Sequence, residues 1–404
     1  MIKKISFQFL FLFIAFQLYA QNNIIDNIVA DVTYLAADQL EGRMIGEKGE
    51  KLAAEYIRSR YIESGLKPMG EEDYFQYFNA SIKTNPHSIA PSKKIQGINV
   101  IGYLDYTQKE TIIIGAHYDH LGYGMFGSLN TGDAEIHNGA DDNASGVSLL
   151  LSLIEVLKKN QSYNYLFIAF SGEEHGLFGS SYYAKNPTIN LKNVRFMLNF
   201  DMVGRLNNEN HLAINGIGTS TKWMSLLNDN NLYSLKLKTS ESGTGPSDHT
   251  SFYLQDIPVL HFFTGQHEDY HKPTDDVEKI NFEGIYLLRK YINSIIVSSS
   301  NIKNFDFKQT TSENRDSPKF TVTLGIMPDY LYDGIGLRID GVTKDKTAYK
   351  HGIQKGDIVI KMASFEITDI YAYMKALSKY KSGDQIDIVI ERNNKKIRKD
   401  IVFD

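Results

Sequence analysis

Four stretches decide the architecture: TIIIGAHYDH at 111–120, GADDNASGVSLLLSLIEVLKK at 139–159, YNYLFIAFSGEE at 163–174 and VRFMLNFDMVG at 194–204. The first, third and fourth are short, nearly unbroken apolar runs that end abruptly in charged residues. That is the pattern of strands covered on both faces. The second is a long apolar segment behind a Gly, Asp and Asn turn, which reads as a buried helix. Strand, helix, strand, strand in this order argues for an α/β layered fold around a largely parallel sheet.

The pattern extends outward. INVIGYL (98–104), HLAINGI (211–217) and IPVLHFF (257–263) read as further strands, and FEGIYLLRKYINSIIVSS (282–299) as a closing helix. Upstream, IIDNIVADVTYLAADQLEGR (24–43) and GEKGEKLAAEYIRSRYIESGL (46–66) carry apolar residues at helical spacing, while residues 70–96 read as irregular. A polar stretch, 301–318, reads as a linker. Residues 319–404 read as a small strand-rich unit with one helix near YAYMKALSKY.

Composition narrows the function. The chain has 404 residues, enough for a large core and a second unit. Its net charge of −5 gives no electrostatic footprint for nucleic acid or an anionic membrane. Residues 1–20 open with Lys3 and Lys4, run apolar from Ile5 to Leu18 and reach Ala20 before a polar stretch. This is the order of a removable signal peptide, so the mature chain is expected to be exported, periplasmic or extracellular, with no membrane span. Cys is absent, which excludes disulfides, thiolate nucleophiles and Cys-based zinc sites.

Chemistry concentrates in five segments, each just after a strand or at a helix start: AHYDH (116–120), GADDNASG (139–146), SGEEHG (171–176), NFDMVGR (199–205) and DYHKPTDD (269–276). Open α/β sheets bind ligands beyond the carboxyl ends of their strands, where His117, Glu173, Glu174 and Asp201 would all stand. Asp119, two residues from His117, suits an imidazole that donates its other ring N–H to a carboxylate. Asp142 or Asp141, at a helix start, could bridge two cations. Adjacent Glu173 and Glu174 diverge, so one can bind metal while the other acts as general base. A carboxylate ending so apolar a strand as Asp201 does is costly to bury unless paired or metal-bound. His271 would add a second imidazole. Two His and three carboxylates suit Zn²⁺, with Mn²⁺ or Co²⁺ as substitutes, in the layout of a two-metal hydrolytic site. The remaining histidines, His87, His120, His137, His211, His261, His267 and His351, read as surface or core residues, and His175 as a bystander.

These segments, in this order, resemble the co-catalytic di-zinc aminopeptidases of the leucyl aminopeptidase and aminopeptidase Y type. Glutaminyl cyclases and glutamate carboxypeptidase II belong to the same wider family. The resemblance covers about residues 30–300, including EGRMIGEKGEKLAAEYI (41–57). It implies a three-layer α/β/α zinc-exopeptidase fold with a mixed, largely parallel sheet over 21–300. It implies two zinc ions: His117 and Asp201 on one, Glu174 and His271 on the other, Asp142 bridging. Glu173 would be the general base and Asp119 would orient His117. Tyr270 would stabilise the oxyanion, unless it is simply a core tyrosine. A cis peptide would join Asp142 to Asn143, and His249 in GPSDHTSF would shape the pocket. Residues 319–404 resemble a PDZ domain, with TLGI (323–326) as the carboxylate-binding loop and AYKHGIQKGDIVIKM (348–362) as the helix–turn–strand signature, so its groove would take a peptide C-terminus. The expected activity is removal of N-terminal residues from peptides. A carboxypeptidase using Arg205, a glutaminyl cyclase, or a non-catalytic peptide-binding PDZ scaffold are the alternatives.

Overall fold

The computed structural model describes residues 23–82, 93–130, 132–310, 322–329, 332, 334–342 and 345–404. The signal-like segment 1–20 and His87 lie outside them.

A nine-stranded mixed sheet forms the larger body. Its strands are β1 (Lys67–Pro68), β2 (Phe75–Ile82), β3 (Lys93–Leu104), β4 (Thr111–His117), β5 (Asn164–Phe170), β6 (Val194–Phe200), β7 (His211–Asn215), β8 (Lys236–Ser240) and β9 (Val259–Phe263). The order is β1-β3-β5-β4-β6-β9-β7-β8, with β2 also paired to β3. The centre, β5-β4-β6-β9, is parallel, and the flanks β2, β3 and β7 join antiparallel. Four central strands therefore bring their carboxyl ends to one edge.

Two-sided burial explains the unbroken apolar runs. In β5, Tyr165, Phe167 and Ala169 enter the core on one face while Leu166, Ile168 and Phe170 enter the core on the other. In β4, Ile112, Ile114 and Ala116 alternate with Ile113 in the same way. The period of two along each strand thus fills two cores at once. One face carries helices α1 (23–35), α2 (Lys48–Glu63), α3 (Gly146–Leu157) and α7 (Phe282–Ser299), and α5 (Trp223–Asp229) packs beside α7. The other carries α4 (Phe178–Lys185) and α6 (His249–Tyr253). The result is the three-layer α/β/α arrangement expected.

Two regions differ from the sequence reading. Within 70–96, read as irregular, β2 pairs with β3 in register over eight residues. Its face is mixed, with Gln76, Asn79 and Ser81 between aromatics, so no clean alternation marks it. Residues 301–310, read as linker, are laid against the larger body. The Phe305 ring sits 4.7 Å from Trp223 and 5.0 Å from Phe196, centroid to centroid. Asp306 accepts hydrogen bonds from the hydroxyls of Ser220 and Thr221, both at 2.9 Å.

The C-terminal residues form their own antiparallel sheet. Its strands are β10 (Ile326–Pro328), β11 (Leu337–Val342), β12 (Ile358–Met362), β13 (Phe365–Glu366), β14 (Gln385–Arg392) and β15 (Lys395–Val402), with helices α8 (Thr347–Lys350) and α9 (Ile370–Leu377). β10 lies at the edge. A separate core of Leu324, Ile339, Val359, Ile388, Ile390 and Phe403 holds this unit.

Candidate metal centre

The site is assembled on the edge where the parallel strands end. His117 is the last residue of β4, Glu173 and Glu174 follow β5, and Asp201 follows β6. Asp142 lies in the turn before α3, and its peptide bond to Asn143 is cis. The loop after β9 delivers Tyr270 and His271.

His117 Nε2 lies 3.4 Å from Asp142 Oδ1 and 3.4 Å from Asp201 Oδ1. His271 Nε2 lies 3.3 Å from Asp142 Oδ2 and 3.2 Å from Glu174 Oε2. All five sequence-derived ligand candidates therefore converge, with one Asp142 oxygen facing each group. Donors bonded at 2.0–2.2 Å in a tetrahedron stand roughly 3.3 Å apart, so these spacings suit one small divalent cation on each side of Asp142. Charge argues the same way. Asp119, Asp142, Glu173, Glu174, Asp201 and Asp248 all gather here, largely hidden from solvent, and cations are what make such a cluster tolerable.

The surroundings fix each donor. His117 Nδ1 has the carbonyl oxygen of Asp119 at 3.2 Å and its carboxylate at 3.7 Å, so the backbone of Asp119 is nearer than the carboxylate expected there. The Asp119 carboxylate instead accepts the backbone N–H of Glu173 at 3.2 Å, tying the β4 loop to the β5 loop. Asp201 Oδ2 accepts the Ser247 hydroxyl at 2.7 Å. Arg205 pairs with Asp269 at 3.0 Å and Asp275 at 3.4 Å, so it serves as a partner for neighbouring carboxylates.

Electrostatics separate the two adjacent glutamates. Burial, helped by Asp201, Glu174 and Asp248, pushes the Glu173 carboxyl well above the usual range, although His117 opposes it. Glu174 goes the other way: against burial, His271 and His120 hold it well below. Tyr270 stacks on His271 with ring centroids 3.8 Å apart. Burial and the carboxylates of Asp142, Glu174, Glu173 and Asp201 push its hydroxyl well above its ordinary value, so it keeps its proton.

The sequence reading missed His120 and placed it among surface or core residues. It is fully buried, but in the site: Nδ1 lies 2.6 Å from Glu174 Oε1, and His120, Asp142 and Glu174 form a compact donor group beside that of His117, Asp142 and Asp201. The signal available was its position, three residues after His117 in the same loop. His267 is likewise close, with Nε2 3.1 Å from Asp141 Oδ2. His249 stacks on His261 at 4.7 Å beneath the site, both buried.

Comparison with known proteins agrees with this geometry. Residues 99–294 match the model of peptidase family M28. The alkaline phosphatase isozyme conversion protein of Escherichia coli is 31% identical over 168 residues, 40% of this chain and 46% of that protein. Aminopeptidase YwaD of Bacillus subtilis is 29% identical over 230 residues, 54% of this chain and 47% of that protein. The chain spans about half the length of the curated relatives it matches. Among solved structures, a zinc aminopeptidase from Bacillus subtilis superimposes with a TM-score of 0.53 at 18% identity, over 68% of this chain and 95% of that one. A glutaminyl cyclase from Bacteroides thetaiotaomicron gives 0.55 at 17%, over 68% and 97%. These two structures share the zinc-exopeptidase fold with the larger body.

Proposed function

We propose that the chain is an exported, zinc-dependent aminopeptidase that removes N-terminal residues from peptides. The observation that carries the reading is the pair of donor groups sharing Asp142, His117 with Asp201 on one side and His271 with Glu174 on the other, with Glu173 beside them and outside the ligand set. His117 and Asp201 would hold one zinc, Glu174 and His271 the other, and Asp142 both. Bound zinc supplies Lewis acidity toward the scissile carbonyl and lowers the pKa of water. Glu173, its carboxyl raised by burial, takes the proton from the attacking water and returns it to the leaving amine. Tyr270, still protonated, donates a hydrogen bond to the developing oxyanion. Asp119 keeps the His117 and Glu173 loops in register. The excess of carboxylates favours a substrate's free α-amine.

A carboxypeptidase would need a free cation for the substrate carboxylate, and Arg205 is engaged with Asp269 and Asp275. The C-terminal unit we assign as PDZ-like: TLGI leads into the edge strand β10, which would take a peptide C-terminus by strand addition. Export rests on residues 1–20. Among the described residues no helix is long and apolar enough to cross a membrane.

The test is a mixed peptide library incubated with the zinc-loaded mature chain, with products read by mass spectrometry. Stepwise N-terminal loss, abolished by chelator and by Glu173→Gln, is expected. C-terminal loss, or loss of ammonia or water without cleavage, would replace the reading with carboxypeptidase or cyclase.

A further inference from the structure

We propose that His120 is a positioning residue for Glu174, selecting which carboxylate oxygen faces the metal. The inference rests on Glu174 being a metal ligand. Two distances in one carboxylate carry it. Glu174 Oε2 lies 3.2 Å from His271 Nε2, the spacing of two atoms that share an ion. Glu174 Oε1 lies only 2.6 Å from His120 Nδ1. Two ligands of one zinc stand roughly 3.3 Å apart, whereas 2.6 Å is a short charge-assisted hydrogen bond. His120 Nδ1 is also 4.0 Å from Asp142 Oδ2, well beyond the 3.3 Å that separates His271 Nε2 from the same oxygen. His120 therefore holds Glu174 and leaves metal binding to His271.

The ring is fixed where it stands. The His120 backbone N–H donates to the Arg43 carbonyl at 3.3 Å, and its side chain is 0% exposed. The imidazole packs on Gly139, where an added Cβ would come within 2.5 Å of His120 Cδ2; Gly139 also has φ of 56°, a conformation that favours glycine. His271 meets the ring edge-on at 5.8 Å. His120 Nε2 is buried and meets no hydrogen-bonding group among the described residues, so nothing competes to reorient the ring. With Nδ1–H spent on Oε1, Glu174 cannot rotate to present Oε1 or chelate through both oxygens. Such outer contacts to a ligating carboxylate usually contribute tenfold to hundredfold in metal affinity.

The experiment is chelator competition for zinc on the full mature chain, with Co²⁺ absorption spectra, for wild type, His120→Ala and His120→Asn. Wild type should bind two ions. His120→Ala should weaken one ion by about tenfold to hundredfold and leave the other unchanged. His120→Asn, whose amide N–H can stand at the Nδ1 position, should recover most of that loss and a wild-type Co²⁺ spectrum. Wild-type affinity for both ions in His120→Ala would overturn the inference. So would an Asn variant matching Ala in affinity and spectrum, which would make His120 a ligand in its own right. A wild-type chain that binds no zinc would overturn the metal reading itself, a different failure visible before any variant is made.

Discussion

The carboxylate of Asp275 accepts the backbone N–H groups of both Asp141, at 2.9 Å, and Asp142, at 3.1 Å, across more than 130 residues of chain. One buried oxygen thus sets the path of the turn that carries the shared donor, and Arg205 balances its other oxygen. Asp275→Asn keeps an oxygen for the turn but removes the charge that Arg205 faces. Zinc affinity should fall about tenfold to hundredfold, the range for outer contacts of a metal site. Titration against a chromophoric chelator reads this directly, and unchanged affinity would show that the turn holds its shape unaided.

Arg43 performs a similar task from the other side. Fully buried, it donates Nε–H to the Tyr118 carbonyl at 2.7 Å, Nη1 to Asn138 O at 2.6 Å and to Leu35 O, and Nη2 to Gly139 O at 3.1 Å. It clamps the loops of His117 and Asp142 together and offsets Asp119, Asp142, Asp275 and Glu174 electrostatically. Lysine lacks the planar fork, so Arg43→Lys is not conservative here. Arg43→Ala should cost about 3–5 kcal/mol by leaving buried carbonyls and carboxylates uncompensated. Urea unfolding measures the loss, and proteolysis should move into residues 120–140.

How much of this was readable beforehand depends on how strictly burial constrained each residue. The helix α7 matches its sequence boundaries, 282–299, because its apolar stripe repeats over five turns. Strands β4, β5 and β6 were legible because both faces are covered. His117, Glu174 and Asp201 were legible as charged residues closing apolar strands, whereas the choice of Asp142 over Asp141 and the pairing of Glu174 with His271 came from the family resemblance. β2 was not legible, since a flanking strand tolerates Gln76, Asn79 and Ser81. His120 was not, because its role depends on the distance to Glu174, 54 residues away, which no local pattern encodes. The docked stretch 301–310 was hidden for a related reason: Phe305 and Asp306 are an ordinary pair until Trp223 and Thr221 come to meet them.

That docked stretch makes its own prediction. Phe305→Ala should cost about 2 kcal/mol, below the ~3–5 of a fully buried ring because Phe305 is only partly covered. Trp223 is the single tryptophan, so its emission reports the packing directly. A chain ending at residue 300 should melt lower and show altered Trp223 fluorescence. An unchanged spectrum in both would mean that the segment contributes nothing to the domain.

Glu50 gives a pH dependence. It is 0% exposed, and burial raises its carboxyl from 4.5 to about 7 despite hydrogen bonds from Ser171, Gly46 and Ile98. The folded chain therefore holds this proton more tightly than the unfolded one. Its stabilising effect is complete below about pH 4.5 and is lost as pH rises through about 7, by up to about 3 kcal/mol. Glu50→Gln removes this component, so its urea midpoint relative to wild type should improve from pH 5 to pH 8. Parallel curves would show that Glu50 does not titrate in this range.

Metal removal should interact with pH in a defined direction. Without cations, burial and neighbouring carboxylates raise Asp142 and Glu173, and burial takes Asp248 to about 7. Against burial, Asp201 and Glu174 raise His117 and His271 respectively. Each of these folded-state values lies above its unfolded one, so the apo chain binds extra protons and loses stability as pH rises from about 5 to 8. Glu174 and Asp201 are lowered and stay ionised throughout that window, so they do not reverse the trend. Zinc takes the place of the protons and binds more tightly as pH rises. The drop in melting temperature on adding chelator should therefore be larger at pH 8 than at pH 5.5. A drop that is equal at both pH values, or larger in acid, would mean that the clustered carboxylates are relieved by rearrangement of the loops instead of by metal.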